Sequence, residues 1–272
     1  MILRILLLSI VLPSCVFAQG YLPVGARSAS LGNASVCLDD VFSFYHNPAG
    51  LAGIDRTTVG AGYENRFLLR ELQTQAVAAA IPLKTGVLSV GAQLYGHELF
   101  RSQKAGVGYS VKLAEKLSGG VQLNYLGLRL PANYGSKHTA TAEIGIIGEL
   151  TDNWKIGASV FNLGRAKLAD FMDDRFSTVM RLGTSYTVSK KALFLLEAEK
   201  HVDYKMRAKA GVEYRPDENF FLRFGVATQP IEMSFGLGYR FSSFQIDLGS
   251  AFHQRLGWSP HFAFIYTGKK KK

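Results

Sequence analysis

From Thr57 to Thr267 apolar and polar residues alternate almost one by one, in fourteen short stretches separated by turn-forming residues. A period of two points successive side chains to opposite faces of an extended strand. Residues 231–241 are the clearest case. Ile231, Met233, Phe235, Leu237, Tyr239 and Phe241 fall on one face, and Glu232, Ser234, Gly236, Gly238 and Arg240 on the other. Leu88, Val90, Ala92 and Leu94 likewise oppose Ser89, Gly91 and Gln93; Phe220, Leu222, Phe224 and Val226 oppose Phe221, Arg223 and Gly225. None of these apolar faces carries a charge. An Arg or Lys facing lipid at mid-depth would cost about 2–4 kcal/mol, so an uncharged face is what hydrocarbon demands. A soluble sandwich also alternates, but it presents Lys and Glu to water rather than the Gly, Ser and Gln found here.

The connections predict the topology. Lys84-Thr85, Ala114 to Leu117, Thr151 to Asn153, Ser189-Lys190, Pro216 to Glu218 and Ser242-Ser243 are tight and recur at every second junction. Between them lie longer connections at Glu64 to Arg70, Gly96 to Ser102, Leu130 to Ser136 and Gly164 to Phe176, with shorter ones near Asp203 and Pro230. One rim of turns and one of loops describes an up-and-down antiparallel transmembrane β-barrel, with turns periplasmic and loops extracellular. Fourteen strands over 57–268 leave about 15 residues per strand and connection, room for the 9–11 that a tilted strand needs; twelve strands is the second choice. Tyr63, Phe67, Tyr95, Phe100, Tyr186, Tyr214, Trp258 and Tyr266 lie near strand ends, where aromatic girdles form.

Residues 1–18 read as an export segment. Arg4 supplies the positive start, Ile5 to Leu12 the apolar core and Val16-Phe17-Ala18 a small-residue exit before Gln19. Leu12-Pro13-Ser14-Cys15 offers a rival lipoprotein site, with proline awkwardly close to the processed bond. Cleavage after Ala18 leaves Cys37 as a lone thiol, without a disulfide partner and without a CxxC or Cys/His cluster for metal.

Residues 19–56 break the alternation. Gly25 to Ala34 is rich in small residues, Asp39-Asp40 is acidic, Phe42, Phe44 and Tyr45 are aromatic, and Asn47-Pro48-Ala49-Gly50-Leu51-Ala52 closes the segment. A barrel of this size is too wide for its own side chains to fill. Small residues let a backbone pack against the inner wall, Asn47-Pro48 initiates a turn, and Gly50 permits conformations that other residues avoid. The segment is therefore expected to plug the lumen, with Arg27, Asp39, Asp40, Asn47, Pro48 and Gly50 as its defining residues; a periplasmic extension is the alternative.

Gly25-Ala26-Arg27-Ser28-Ala29-Ser30-Leu31-Gly32, then Asp39-Asp40, then Asn47-Pro48-Ala49-Gly50-Leu51 resembles the opening of the PorV/PorQ family of outer-membrane proteins, related to the FadL long-chain fatty-acid transporters. The resemblance implies a FadL-like barrel in a Gram-negative outer membrane, with its N-terminal segment inside. For PorV-type members it further implies work in type IX secretion, beside the translocon or a surface attachment complex. The chain lacks the long hatch and extracellular loops of the fatty-acid transporters.

Charge adds one feature. The 31 Lys and Arg exceed the 21 Asp and Glu, but they are scattered, and only Lys269 to Lys272 form a run. That tail reads as solvated, and nucleic acid is not indicated. On the later strands Arg181, Glu197, Arg207, Glu213, Arg223, Glu232, Arg240 and Asp247 (with Glu199 and Lys209) fall on the inward face, where they can pair with one another and with Asp39 or Asp40. There is no GxSxG, HExxH or P-loop, the six histidines stand singly, and no cofactor-binding pattern is present. Two non-enzymatic roles follow. The first is an accessory subunit of a type IX-like secretion or surface-assembly system, resting in outer-membrane lipid. The second is a transporter of hydrophobic small molecules, with Phe221, Leu193 and Leu195 as apolar lumen candidates and a sideways exit at a kinked strand.

Overall fold

The computed structural model describes residues 23–97, 100–130, 135–167, 175–202 and 204–270. The export segment with Cys15, Asp203 and the end of the basic tail lie outside them.

Fourteen antiparallel strands close into one barrel, β14 pairing back onto β1. They are β1 (Thr58–Asn65), β2 (Gln73–Pro82), β3 (Val87–Gly96), β4 (Arg101–Ala114), β5 (Leu117–Arg129), β6 (Ser136–Thr151), β7 (Trp154–Phe161), β8 (Val179–Val188), β9 (Ala192–His201), β10 (Arg207–Tyr214), β11 (Phe220–Ala227), β12 (Glu232–Phe241), β13 (Phe244–His253) and β14 (Gly257–Thr267). Every strand is a neighbour of the one before it. Closure pairs the backbone groups of both would-be edges, the sheet arrangement that hydrocarbon tolerates. The all-β, 14-strand expectation holds.

The alternation sorts as expected. Leu123 is 66% exposed and Leu196 60% on the outer surface, whereas Gln122 and Glu197, one residue away from each, are buried in the lumen. Tyr63, Tyr186, Tyr214, Trp258 and Tyr266 are exposed near strand ends. Tyr95 departs from the expected girdle: it points inward, 2% exposed, and packs edge-on against Phe100 with ring centroids 6.2 Å apart. Its place on the inward register of β3, with Ser89, Gly91 and Gln93, outweighs its position at a strand end.

The rim is uneven. β4, β5 and β6 run 14, 13 and 16 residues, whereas β1, β7, β10 and β11 have eight. The ladders shift register at Lys112/Ala114 and Glu149/Thr151, both beside tight turns. No other register shift interrupts a ladder among the described residues, and at the loop end the β6–β7 ladder starts at Glu143 and Phe161, so residues 136–142 of β6 have a ladder partner only in β5.

Residues 24–52 fill the lumen. α1 (Ala26–Ser30) packs against β11 to β14, and two short 3-10 helices, Val41–Tyr45 and Pro48–Leu51, pack against β1 to β3 and β4 to β6 respectively. Leu31, Phe44 and Leu51 are fully buried. The inner wall makes room by omitting side chains. A Cβ on Gly225 would overlap the Leu31–Gly32 backbone, one on Gly120 the Pro48–Ala49 peptide, and one on Gly145 the Asn47 amide. The inward glycines that read as a merely polar face are thus the negative of the plug.

Candidate functional site

The plug is held by hydrogen bonds drawn from its own turn chemistry and from charged wall residues. Asp40 caps the first 3-10 helix by accepting from the Phe42 amide at 2.9 Å. Asn47 caps the second, its Oδ1 accepting from Ala49 N at 3.1 Å while its Nδ2 donates to the Val36 carbonyl at 2.8 Å. Ser110 on β4 donates to the Pro48 carbonyl at 2.6 Å. Gly50 lies under the Leu38 carbonyl, where a Cβ would overlap it. Tyr45 places its hydroxyl within 2.7 Å of the Val77 carbonyl and 2.8 Å of that of Ala92. Asp39 is the exception among the expected plug residues. Its side chain is 61% exposed at the turn rim, 3.7 Å from both Arg27 and Lys155.

Electrostatic latches join plug to wall. At the turn end Arg27 sends Nε to Glu213 at 2.8 Å and Nη1 to Asp40 at 3.1 Å. Glu213 also accepts from Arg223 at 2.7 Å, and Arg223 reaches Asp247 at 2.5 Å. Higher in the lumen, Glu197 accepts from the amides of Ser35 (2.7 Å) and Val36 (2.8 Å). Lys209 bridges Glu197 (2.9 Å), Glu199 (2.7 Å) and the Asn33 carbonyl (3.2 Å). The wall therefore reaches the plug through Arg27, through plug backbone amides and carbonyls, and through Lys155, 3.7 Å from Asp39. Inward charge also extends beyond the later strands. Lys104 on β4 meets Glu143 on β6 at 3.3 Å, with Arg181 3.6 Å from the same carboxylate. Lys104 and Glu143 escaped sequence reasoning because each stands alone within an otherwise small-residue or apolar stretch; the inward register was the available signal.

Burial displaces the titration of the plug side chains His46 and Cys37. Burial, with Arg181 adding repulsion, pushes the His46 imidazole down to about 3, and its Nε2 lies 2.8 Å from the Val24 carbonyl. A neutral imidazole with Nε2–H fits that contact. Burial, aided by Glu197, pushes the Cys37 thiol up to about 12, which makes it inert.

The apolar lumen candidates are occupied. Leu195 packs with Leu31, Ala34, Val36 and Leu38 of the plug, with Leu193 at the margin. Phe221 lies under guanidiniums of Arg215, Arg223 and Arg240. On the β5, β7 and β8 side a second cluster, Leu126, Leu128, Phe161, Phe176 and Val179, packs toward the loop end. Among the described residues, packed plug and wall side chains occupy the lumen between its two ends.

What stays open lies at the two ends. On the loop side a vestibule of about 430 Å³ has Pro23 and Asn33 of the plug in its floor. Glu64 holds Arg66 at 2.8 Å, with His261 4.0 Å away. Across from them Arg207 pairs with Glu232 at 3.1 Å and faces Glu199 at 4.0 Å. Phe67, Tyr204 and Pro230 add apolar surface. Phe67 and Leu68 hold left-handed backbone (φ 56° and 58°) at the loop tip. The second opening, about 370 Å³ at the turn side, is lined by Arg27, Arg215, Arg223 and Arg240. Arg207 and Glu232, expected on the inward face, line the vestibule, and Arg240 is exposed at the opposite mouth. Among the described residues no group of three or more His, Cys, Asp or Glu side chains is placed to hold a metal ion.

A closed 14-strand antiparallel barrel with an N-terminal segment in its lumen is the architecture of the FadL-like outer-membrane channels. Among solved structures the fold is similar to the CymD monoaromatic hydrocarbon channel (TM-score 0.69, 13% identity, 92% of this chain and 99% of that one). It is also similar to the Ralstonia pickettii toluene transporter TbuX (0.68, 12%, 93% and 100%) and to a Pseudomonas aeruginosa FadL homologue (0.60, 12%, 93% and 100%). No protein-family model and no curated protein matches the sequence. The FadL-like part of the sequence resemblance is thereby met in fold, and the PorV/PorQ part finds no match.

Proposed function

We propose that this protein is an outer-membrane transporter of hydrophobic small molecules, held closed by its N-terminal plug. The observation that carries the reading is the loop-side vestibule: a cavity of about 430 Å³ with the plug residues Pro23 and Asn33 in its floor, in a fold shared with hydrocarbon channels. Phe67, Tyr204 and Pro230 supply apolar contact, and the Glu64–Arg66 and Arg207–Glu232 pairs supply a polar end. Apolar surface from Phe67, Tyr204 and Pro230 beside a largely polar and ionisable wall suits a small molecule with an apolar body and a polar end. Passage requires residues 23–40 to move, because the lumen below the vestibule is packed. Deletion of the gene is expected to slow uptake of labelled fatty acids or monoaromatic hydrocarbons, and complementation to restore it. Unchanged uptake across both classes removes the proposal.

A second reading is favoured by one observation, the completeness of the lumen packing around Leu31, Phe44 and Leu51. A barrel sealed this way can serve as a rigid membrane platform, an accessory subunit of a type IX-like secretion or surface-assembly system. Affinity purification from cross-linked outer membranes separates the readings. Stoichiometric recovery of an envelope partner together with unchanged uptake favours the platform; no partner together with reduced uptake favours transport.

A further inference from the structure

The turn-side mouth carries a feature that neither reading uses. Three guanidinium groups converge on one aromatic ring: the Cζ atoms of Arg215, Arg223 and Arg240 stand 5.4, 5.2 and 5.2 Å from the centroid of Phe221. The fourth, Arg27, joins them through Glu213, whose single carboxylate accepts from Arg27, Arg215 and Arg223 at once. Gathering like charges in a partly desolvated mouth is unfavourable unless anions compensate them. The protein's own anions are largely committed. Asp247 is taken by Arg223, Asp40 by Arg27, Asp39 lies between Arg27 and Lys155, and Asp55 is held by Arg56 and Lys270.

Two donors are left over. Arg240 forms no ion pair among the described residues and donates both Nε and Nη2 to the amide oxygen of Gln245, at 3.1 and 3.0 Å. Arg223 is 4% exposed, and its Nη2 has no hydrogen-bond partner. Both line the 370 Å³ cavity, with Arg215 half open to solvent at its edge. A buried guanidinium nitrogen without an acceptor is costly, and planar multi-donor groups recognise tetrahedral oxyanions well.

We propose that this mouth is a binding site for a phosphate group presented from the periplasmic side, with Arg215, Arg223 and Arg240 as its donors. The group is either a soluble phosphate or phosphomonoester, or the headgroup of an inner-leaflet phospholipid. The site stands apart from the vestibule and does not depend on what crosses the barrel.

The test reconstitutes the protein into nanodiscs of phosphate-free galactolipid and titrates inorganic phosphate by calorimetry. Saturable binding is expected, and Arg240→Gln and Arg215→Gln are each expected to weaken it about tenfold, the scale of one charge-assisted hydrogen bond. Arg240 is exposed and Arg215 half-exposed, so the barrel tolerates their loss, and unchanged heat-modifiability on gels verifies it. Repeating the titration in phosphatidylglycerol nanodiscs identifies the source: suppressed phosphate binding assigns the site to the lipid headgroup, and unchanged binding assigns it to a soluble phosphate. Absence of saturable binding in galactolipid, or unchanged affinity in both variants, overturns the proposal.

Discussion

Glu213 is the residue on which the plug turns. Its carboxylate is fully buried and joins Arg27 of the plug to Arg223 of the wall. A buried ion network contributes little net stability, yet removing one member leaves charges unpaired at a cost of about 3–5 kcal/mol. Glu213→Gln is therefore expected to lower the urea midpoint of plug release, followed by proteolysis at residues 23–56, while the barrel remains heat-modifiable. An unchanged protease pattern would show that the latch is dispensable. His46 gives a second, pH-dependent handle. Its folded value of about 3 lies below the ordinary 6.5, so the released plug takes up the proton before the packed one does. The stability contribution is present above pH 6.5 and is lost progressively as pH falls toward 3. Acid should loosen the plug over that window, and His46→Asn should flatten the response; a protease-sensitivity profile indifferent to pH in the wild type contradicts it. Cys37, buried and with its thiol pushed up to about 12, is expected to resist maleimide at neutral pH until the plug is released.

At the level of elements, the strands were legible and the plug's seat was not. Period-two alternation and the tight-turn rhythm carried the outward face, because lipid forbids charge there whatever the neighbouring strand does. The inner face obeys a different rule. The missing Cβ atoms of Gly120, Gly145 and Gly225 are filled by the plug, by its backbone at Gly120 and Gly225 and by the Asn47 side chain at Gly145, contacts across about 70 to 190 positions that no local pattern encodes. Tyr95 misled for a related reason: a strand-end aromatic joins the girdle only when its register faces out. Lys104 and Glu143 were missed because a single inward charge in a stretch such as residues 101–114 has no local partner to mark it. The Asn47-Pro48 turn and the Asp40 cap, by contrast, are local hydrogen-bond devices and could be read directly. Gly225→Leu is expected to expel the plug while leaving the barrel closed, whereas Leu123→Arg on the outer face should destabilise the barrel itself by about 2–4 kcal/mol. Equal effects of the two on barrel unfolding in detergent would contradict this division of labour.

For the whole molecule, wall and plug form one packed body with two aqueous ends. The loop end offers a vestibule whose floor is the plug, and the turn end offers a cluster of arginines. Because plug residues occupy the lumen between them, any transport function has to pass through a rearranged plug, and any platform function benefits from a plug that stays. Both readings rest on the same claim, that residues 23–56 seal a barrel wide enough to conduct once they are gone. Single-channel recording in planar bilayers tests that claim most directly, comparing the purified wild type with a chain lacking residues 23–52. The wild type should pass no steady current and the deletion should open stable, pore-sized conductances. Steady, equal currents from both would show that the segment does not close the lumen.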